Sequence, residues 1–203
     1  MNIVHNFAIP VMHGRTTGAE ETWEIIKPKV EKLWEDPKNI LPDSIIPGGV
    51  NCTYAGQNGF INFWPEMQPI MDQINVMVKE YYKLLQLDPA FEPYVDEMWV
   101  NNVPAGCVGV MHDHPEWPIA GSFYFFTEPD QGSIEIENPA YNLITRHPRD
   151  PNANNDDILK TFIVNTGDVF LWPGWLRHHV VANKTGRNRI SCGFTCLTKP
   201  VAN

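Results

Sequence analysis

The sequence is poor in basic residues and in long apolar runs. Against 24 aspartates and glutamates it has 15 lysines and arginines in 203 residues, which gives a formal net charge of −9. A chain this acidic has no long-range attraction to a phosphate backbone or an anionic membrane, so we expect neither as a partner. No stretch approaches the roughly 18 apolar residues of a membrane span, and the N-terminus lacks the features of a secretory signal.

The sequence also lacks the cysteine patterns of zinc ribbons and disulfide scaffolds. Its four cysteines, Cys52, Cys107, Cys192 and Cys196, contain no CxxC pair. Four reduced thiols are typical of a reducing compartment, so the sequence predicts a cytoplasmic protein. A chain of this length buries about 70 % of its unfolded surface, so its core needs neither a metal nor a disulfide to hold it.

The pattern of apolar residues predicts a single domain, 1–203, in two parts. Residues 1–95 are predicted to be a helical support region, since apolar residues recur there at spacings of three and four. One helix follows Thr17-Gly18 and a second starts near Pro65. Their expected buried positions are Trp23, Ile26, Val30 and Leu33 in the first, and Ile70, Ile74, Met77 or Val78, Tyr81 and Leu85 in the second.

Residues 96–203 are predicted to form a jelly-roll catalytic core. Short runs of β-branched and aromatic residues alternate there with turn signals, and eight such runs are typical of a double-sheet jelly roll. The fold class is therefore mainly β with a helical N-terminal part (α+β). The polar segment 139–157, which carries Arg146, His147 and Arg149, is interpreted as a lid or a mobile loop. The predicted strands are 97–103, 107–114, 119–127, 132–138, 160–166, 168–172, 177–183 and 187–198.

Two pairs of histidines carry the chemistry. His112 and His114 lie at the end of a predicted strand, where alternation points both to one side and Asp113 to the other. Two imidazoles about 7 Å apart can converge on iron, zinc, copper or nickel, although an isolated pair also fits a hydrogen-bonded turn. His178 follows 64 residues after His114 and is a candidate third ligand. Its neighbour His179 would face the opposite side, so at most one of these two should bind the metal.

An arginine on the last predicted strand is a candidate anion site. Arg189 and Ser191 share one strand face, and a guanidinium with a hydroxyl two residues later is suited to a carboxylate. Burying an arginine between apolar neighbours is costly unless an anion accompanies it. The alternative is a surface arginine on an edge strand.

The order of these motifs resembles the Fe(II)/2-oxoglutarate-dependent oxygenases. The resemblance covers residues 98–197 and is nearest to a bacterial and phage subgroup with an HxHP signature. It is carried by Met98-Trp99-Val100-Asn101, Gly106, His112-Asp113-His114-Pro115, Ala120-Gly121-Ser122-Phe123-Tyr124, the run from Gly167 to His178, Asn183, and Arg189-Ile190-Ser191.

The resemblance implies a double-stranded β-helix that binds Fe(II) and the co-substrate 2-oxoglutarate. His112 and His178 would occupy the two histidine positions of the metal site. Arg189 and Ser191, helped by Tyr124, would bind the distal carboxylate of 2-oxoglutarate. The implied activity is hydroxylation of a small-molecule or peptidyl substrate with release of succinate and CO₂. The expected dry pocket is formed by Phe123, Phe125, Phe170 and Trp172.

The sequence departs from the superfamily at the position two residues after the first histidine. A carboxylate usually stands there, whereas this chain has His114. The expected metal set is therefore His112, His114 and His178. Glu116, Asp113 or water are the alternatives for the third ligand.

Two other classes of function fit parts of the pattern. A cupin-type metal dioxygenase or isomerase would use His112, His114 and His179, and would leave Arg189 without a role. A non-catalytic jelly-roll module would bind carbohydrate or peptide on its aromatic residues, of which seven are tryptophans. The choice between His178 and His179 distinguishes the oxygenase from the cupin.

Overall fold

The computed structural model describes residues 8–41, 50–53, 59–140 and 158–201. Most of the predicted 139–157 lid, including Arg146, His147 and Arg149, lies outside these residues. Within the described ranges, no helix is long and apolar enough to cross a membrane.

Two helices and ten strands form the described fold. Helix α1 is Ala19–Trp34 and runs through Pro28, and helix α2 is Gln68–Leu84. Short 3-10 helices occupy Pro37–Asn39 and Pro65–Met67. The strands are β1 (Met12–Arg15), β2 (Ile40–Leu41), β3 (Val50–Cys52), β4 (Phe91–Val103), β5 (Ile119–Phe126), β6 (Ile134–Glu137), β7 (Leu159–Phe162), β8 (Asp168–Pro173), β9 (His178–Val180) and β10 (Arg189–Pro200).

The strands form two antiparallel sheets, which confirms the predicted jelly roll. The larger sheet has the order β1-β8-β5-β10-β4-β3-β2, and the smaller sheet has the order β7-β6-β9. Residues 1–95 contribute strands β1, β2 and β3 and the start of β4 to the larger sheet, as well as both helices. The support region is therefore not purely helical.

Alternation along the strands divides the apolar side chains between two cores. Phe123 and Phe125 of β5 pack with α1 and α2 on the outer face of the larger sheet, where Trp23 lies 5.3 Å from Phe125 between ring centroids. Tyr124, between them in sequence, packs with Ile134 and Ile136 of the smaller sheet. The helices therefore cover one face of the larger sheet, and the smaller sheet faces the other.

The predicted strand 107–114 is wrong, because this segment pairs too irregularly to form a strand. The Gly109 amide donates to the Val180 carbonyl at 2.9 Å, and His112 and His178 exchange two backbone bonds at 3.0 and 2.9 Å. Gly106 begins the segment with a φ of 81°. A side chain at position 109 would place its Cβ 3.1 Å from the Val180 amide nitrogen, so the segment lies tightly against β9. The other seven predicted strands are found with shifted ends, and β4 starts six residues earlier than expected.

Asp168 links the edge strand β1 to β8. Its carboxylate has no exposed surface, and it accepts bonds from Arg15 Nε at 2.9 Å and from His13 Nε2 at 3.0 Å. The backbone amide and the side-chain amide of Asn165 donate to the other oxygen at 2.7 and 3.1 Å. Burial raises the pKa of Asp168, but these hydrogen bonds outweigh it and hold the pKa below its usual range.

We expect Asp168→Asn to lower the free energy of unfolding by about 2–3 kcal/mol at pH 7. Breaking a buried charged pair costs more than this, but His13 and Arg15 are half exposed and water compensates part of the loss. Because the folded pKa is lowered, this contribution is present above the unfolded pKa and is lost as the pH falls below about 4. Urea unfolding from pH 7 to pH 3 measures it, with the exposed Asp130→Asn as control. A stability difference that stays constant over this range would contradict the role assigned to Asp168.

Candidate metal centre

Three histidines converge at one end of the space between the sheets. His112 is fixed to His178 by their two backbone bonds. The amide of His114 donates to the Gly174 carbonyl at 2.7 Å, which ties it to the turn between β8 and β9. One ring nitrogen from each histidine lies within 4.8 Å of the other two. This spacing suits a single metal ion bound on one face by three imidazoles.

Hydrogen bonds to backbone carbonyls fix the tautomer of two of these imidazoles. Nδ1 of His112 lies 2.7 Å from the Val110 carbonyl, and Nδ1 of His178 lies 2.9 Å from the Leu176 carbonyl. A carbonyl only accepts hydrogen bonds, so each Nδ1 carries the proton. The Nε2 lone pairs are then available to a metal, which is the usual arrangement of metal-binding histidines.

Burial keeps the imidazoles of His114 and His178 neutral. Burial, with a smaller contribution from the neighbouring His112, lowers the pKa of His114 to about 4 and that of His178 to about 3. Aromatic rings supply much of the apolar surroundings. Between ring centroids, Trp172 lies 4.6 Å from His178, and Trp99 lies 6.0 Å from His114. Metal ligation requires the neutral form of histidine, so two of the three ligands are ready at neutral pH.

The other candidate ligands lie outside this cluster. His179 faces away from His178 and lies 2.8 Å from a carboxylate oxygen of Glu135. Asp113 and Glu116 are exposed and do not belong to the group of converging ligands. The structure therefore places His178, which the oxygenase interpretation requires, in the cluster of converging histidines. It places His179, which the cupin interpretation requires, on the opposite side of β9.

The three histidines open onto a cavity of about 390 Å³ that also holds the predicted anion site. Arg189, Ser191 and Tyr124 line the same cavity as His112, His114 and His178. Ser191 and Arg189 project from β10, and Tyr124 projects from the neighbouring strand β5. All six residues predicted from the sequence therefore meet in one space.

Within the described residues, Arg189 is a buried cation without a counter-ion. Its side chain is 2 % exposed, and its Nε and Nη1 atoms have no hydrogen-bond partner in the described part of the chain. No aspartate or glutamate is found among the described residues that line the cavity. Burial lowers the pKa of Arg189, which Tyr124 partly opposes. A buried guanidinium with unpaired donors fits a ligand that carries a carboxylate.

A tyrosine and two serines lie beside this guanidinium. The Ser122 hydroxyl donates to the Tyr124 hydroxyl at 3.3 Å, and Ser191 is buried. Burial raises the pKa of Tyr124, so the phenol is neutral and retains its proton as a donor. Together with Arg189, these groups offer hydrogen bonds to several oxygens of one ligand.

The structure corrects the predicted dry pocket and adds residues to it. Phe123 and Phe125 are wrong as pocket residues, because they point to the helices. Trp172 lines the cavity as predicted, whereas Phe170 packs between the sheets and is not among the residues that line the cavity. Trp99 and Asn101 of β4 line the cavity and were not predicted as pocket residues, although alternation along a strand places both on one face.

The fold is a jelly roll, and its cavity brings three converging imidazoles and a buried guanidinium together. Residues 97–195 match the family described as "Putative 2OG-Fe(II) oxygenase". The matched segment is just under half of the chain, and it resembles the 2OG-Fe(II) oxygenases.

Several solved structures have a similar fold. A prolyl-4-hydroxylase from Pseudomonas putida shares 9 % identity, with 96 % of this chain and 94 % of that chain covered and a TM-score of 0.59. AviO1 from Streptomyces viridochromogenes shares 11 % identity, with 96 % and 92 % covered and a TM-score of 0.61. HygX from Streptomyces hygroscopicus, bound to nickel, 2-oxoglutarate and hygromycin B, shares 11 % identity, with 93 % and 82 % covered and a TM-score of 0.57. Identities this low show a common fold alone. A search of curated proteins found no match.

Proposed function

We propose that this chain uses Fe(II) and 2-oxoglutarate to hydroxylate its substrate, with the metal and the co-substrate held side by side in the cavity. The observation that carries the proposal is one space that combines three converging imidazoles with a buried arginine whose Nε and Nη1 have no partner among the described residues. The family match supports the same activity.

His112, His114 and His178 would hold the iron through three neutral nitrogens. The carbonyls of Val110 and Leu176 orient two of these rings before any metal binds. Because no carboxylate joins the set, the protein adds no negative charge to the metal, unlike the usual set of the superfamily. His114-Pro115 also fits the HxHP subgroup.

Arg189 would bind the distal carboxylate of 2-oxoglutarate through its planar pair of donors, with Ser191 and Tyr124 adding hydroxyl contacts. When bound, iron and 2-oxoglutarate supply the oxidation of a C–H bond by O₂, with succinate and CO₂ as the other products. The chain itself would orient both groups, and Trp172 in the cavity wall would exclude water from them.

The proposal extends to the substrate and the setting of the enzyme. The related structures include a prolyl-4-hydroxylase and an enzyme with hygromycin B bound, so we propose a small-molecule or peptidyl substrate. None of the four cysteines forms a disulfide, which supports a reducing compartment such as the cytoplasm. We also propose that 1–203 is one domain, with 1–95 supporting a catalytic core at 96–203.

Anaerobic titration with Fe(II) and 2-oxoglutarate tests the function directly. The chelate of the two has a weak visible charge-transfer band, and we expect this band to saturate at one equivalent per chain. Bound iron without the band would overturn the assignment of 2-oxoglutarate as co-substrate.

The third metal ligand gives a separate prediction. We expect His114→Ala to weaken Fe(II) binding by about 100-fold, because even groups that only orient a ligand contribute roughly 10- to 100-fold. His114→Asp supplies the carboxylate usual in the superfamily and should retain most of the affinity. Asp113→Ala and Glu116→Ala, both exposed, are the matched controls and should bind iron normally. Loss of iron in either control, with binding intact in His114→Ala, would assign the third position to a carboxylate.

A further inference from the structure

Two valines stand exposed in a row that leads to the metal centre. Val108 and Val110 are 37 % and 46 % exposed, and both line the cavity together with His112. His112 follows the valines at the same spacing of two residues, and all three residues line the same cavity. Exposed apolar side chains at the mouth of a cavity are typical of a surface that a ligand covers.

The backbone holds this row in place. The Gly109 amide is bonded to the Val180 carbonyl, and the Val110 carbonyl accepts the bond from Nδ1 of His112. A ligand that packs on Val110 therefore contacts the residue that orients a metal ligand. The valines are therefore exposed on a segment that these hydrogen bonds hold in place.

The remaining walls of the cavity are also uncharged. Val50, Val103 and Trp99 line it as well. Among the lining residues within the described ranges, Arg189 is the one with a permanent charge, and the proposed function assigns it to 2-oxoglutarate. A charged group brought to the valines would lose water without gaining a counter-ion there, which costs several kcal/mol in an apolar setting.

We infer that the substrate brings an uncharged, apolar group to the metal along Val108 and Val110. This inference rests on the proposed function, because it requires 2-oxoglutarate to occupy Arg189. It defines the substrate class by the part next to the reacting C–H bond: aliphatic and neutral, whatever charges the molecule carries farther away.

Three small probes of one carbon frame test the inference without turnover. Isobutyramide is neutral, isobutyrate is an anion and isobutylammonium is a cation. With Co(II) in the metal site and 2-oxoglutarate at saturation, paramagnetic broadening of the probe methyl resonances in NMR reports binding close to the metal. We expect isobutyramide to bind at least about tenfold more tightly than either charged probe.

Variants locate the binding surface. Val110→Asp should abolish the broadening of isobutyramide, and Val110→Leu should retain it. Val76→Asp, at a 63 % exposed valine on α2, is the matched control and should have no effect. Three results would overturn the inference while leaving the proposed function intact. These are broadening of a charged probe equal to that of isobutyramide, no broadening of isobutyramide, and no effect of Val110→Asp. Failure of 2-oxoglutarate to bind beside Co(II) would overturn both.

Discussion

Replacing His178 with alanine is expected to weaken Fe(II) binding by at least about 100-fold and to abolish turnover of 2-oxoglutarate. His178 is 5 % exposed, its Nδ1 is bonded to the Leu176 carbonyl, and its ring belongs to the cluster formed with His112 and His114. Loss of a group that only orients a ligand costs roughly 10- to 100-fold in metal affinity, so loss of the ligand costs at least the upper end of that range. Metal content after dialysis and a titration of Fe(II) measure the effect.

His179→Ala is the matched control for this experiment. It removes a neighbouring imidazole that pairs with Glu135 on the other side of β9. We expect a partly exposed pair of this kind to contribute about 1 kcal/mol or less to stability and nothing to metal binding. Retention of iron by His178→Ala, together with its loss in His179→Ala, would replace the oxygenase ligand set with that of a cupin.

Local periodicity was sufficient to predict most elements of the fold. Trp23, Ile26 and Val30 recur on one helical face and are all buried. The eight runs of β-type residues predicted the jelly roll, and seven of them are strands. The prediction of a strand at 107–114 failed for a physical reason. Val108 and Val110 alternate with other residues as in a strand, but they line the mouth of the cavity. The sequence pattern does not reveal that Gly106 and Gly109 allow the backbone to pair irregularly with β9.

The polar part of the site was more predictable than its apolar part. Spacing and resemblance together brought out His112, His178 and Arg189, because a metal or an anion site requires particular side chains. An apolar side chain fits either face of a sheet, so Phe123 and Phe125 could be placed correctly only once α1 and α2 were known to cover the outer face. The pairing of β1 with β8 through Asp168 joins residues 153 apart in sequence and leaves no local signal.

Replacing Arg189 with methionine is expected to raise the Kd for 2-oxoglutarate by about 30- to 1000-fold while leaving the iron content unchanged. Loss of one partner from a buried, hydrogen-bonded charge pair costs about 2–4 kcal/mol, and a factor of ten corresponds to about 1.4 kcal/mol. Arg189→Lys keeps the charge but loses the planar pair of donors, so we expect an intermediate effect. Titration of the charge-transfer band gives the Kd for 2-oxoglutarate. The apparent KM for 2-oxoglutarate measures the same effect during turnover.

The same substitution is expected to stabilise the protein in the absence of 2-oxoglutarate. Without an anion, Arg189 is a buried charge with two unpaired donors, and apolar replacements of buried charges are often neutral or stabilising by about 1–4 kcal/mol. The wild type should therefore gain thermal stability when 2-oxoglutarate is added, whereas Arg189→Met should start higher and gain little. A lower melting temperature in ligand-free Arg189→Met would show that the guanidinium supports the fold, and a loss of iron would show that it supports the metal. A higher melting temperature with weaker binding identifies Arg189 as a residue whose cost to the fold is offset only when the carboxylate is bound.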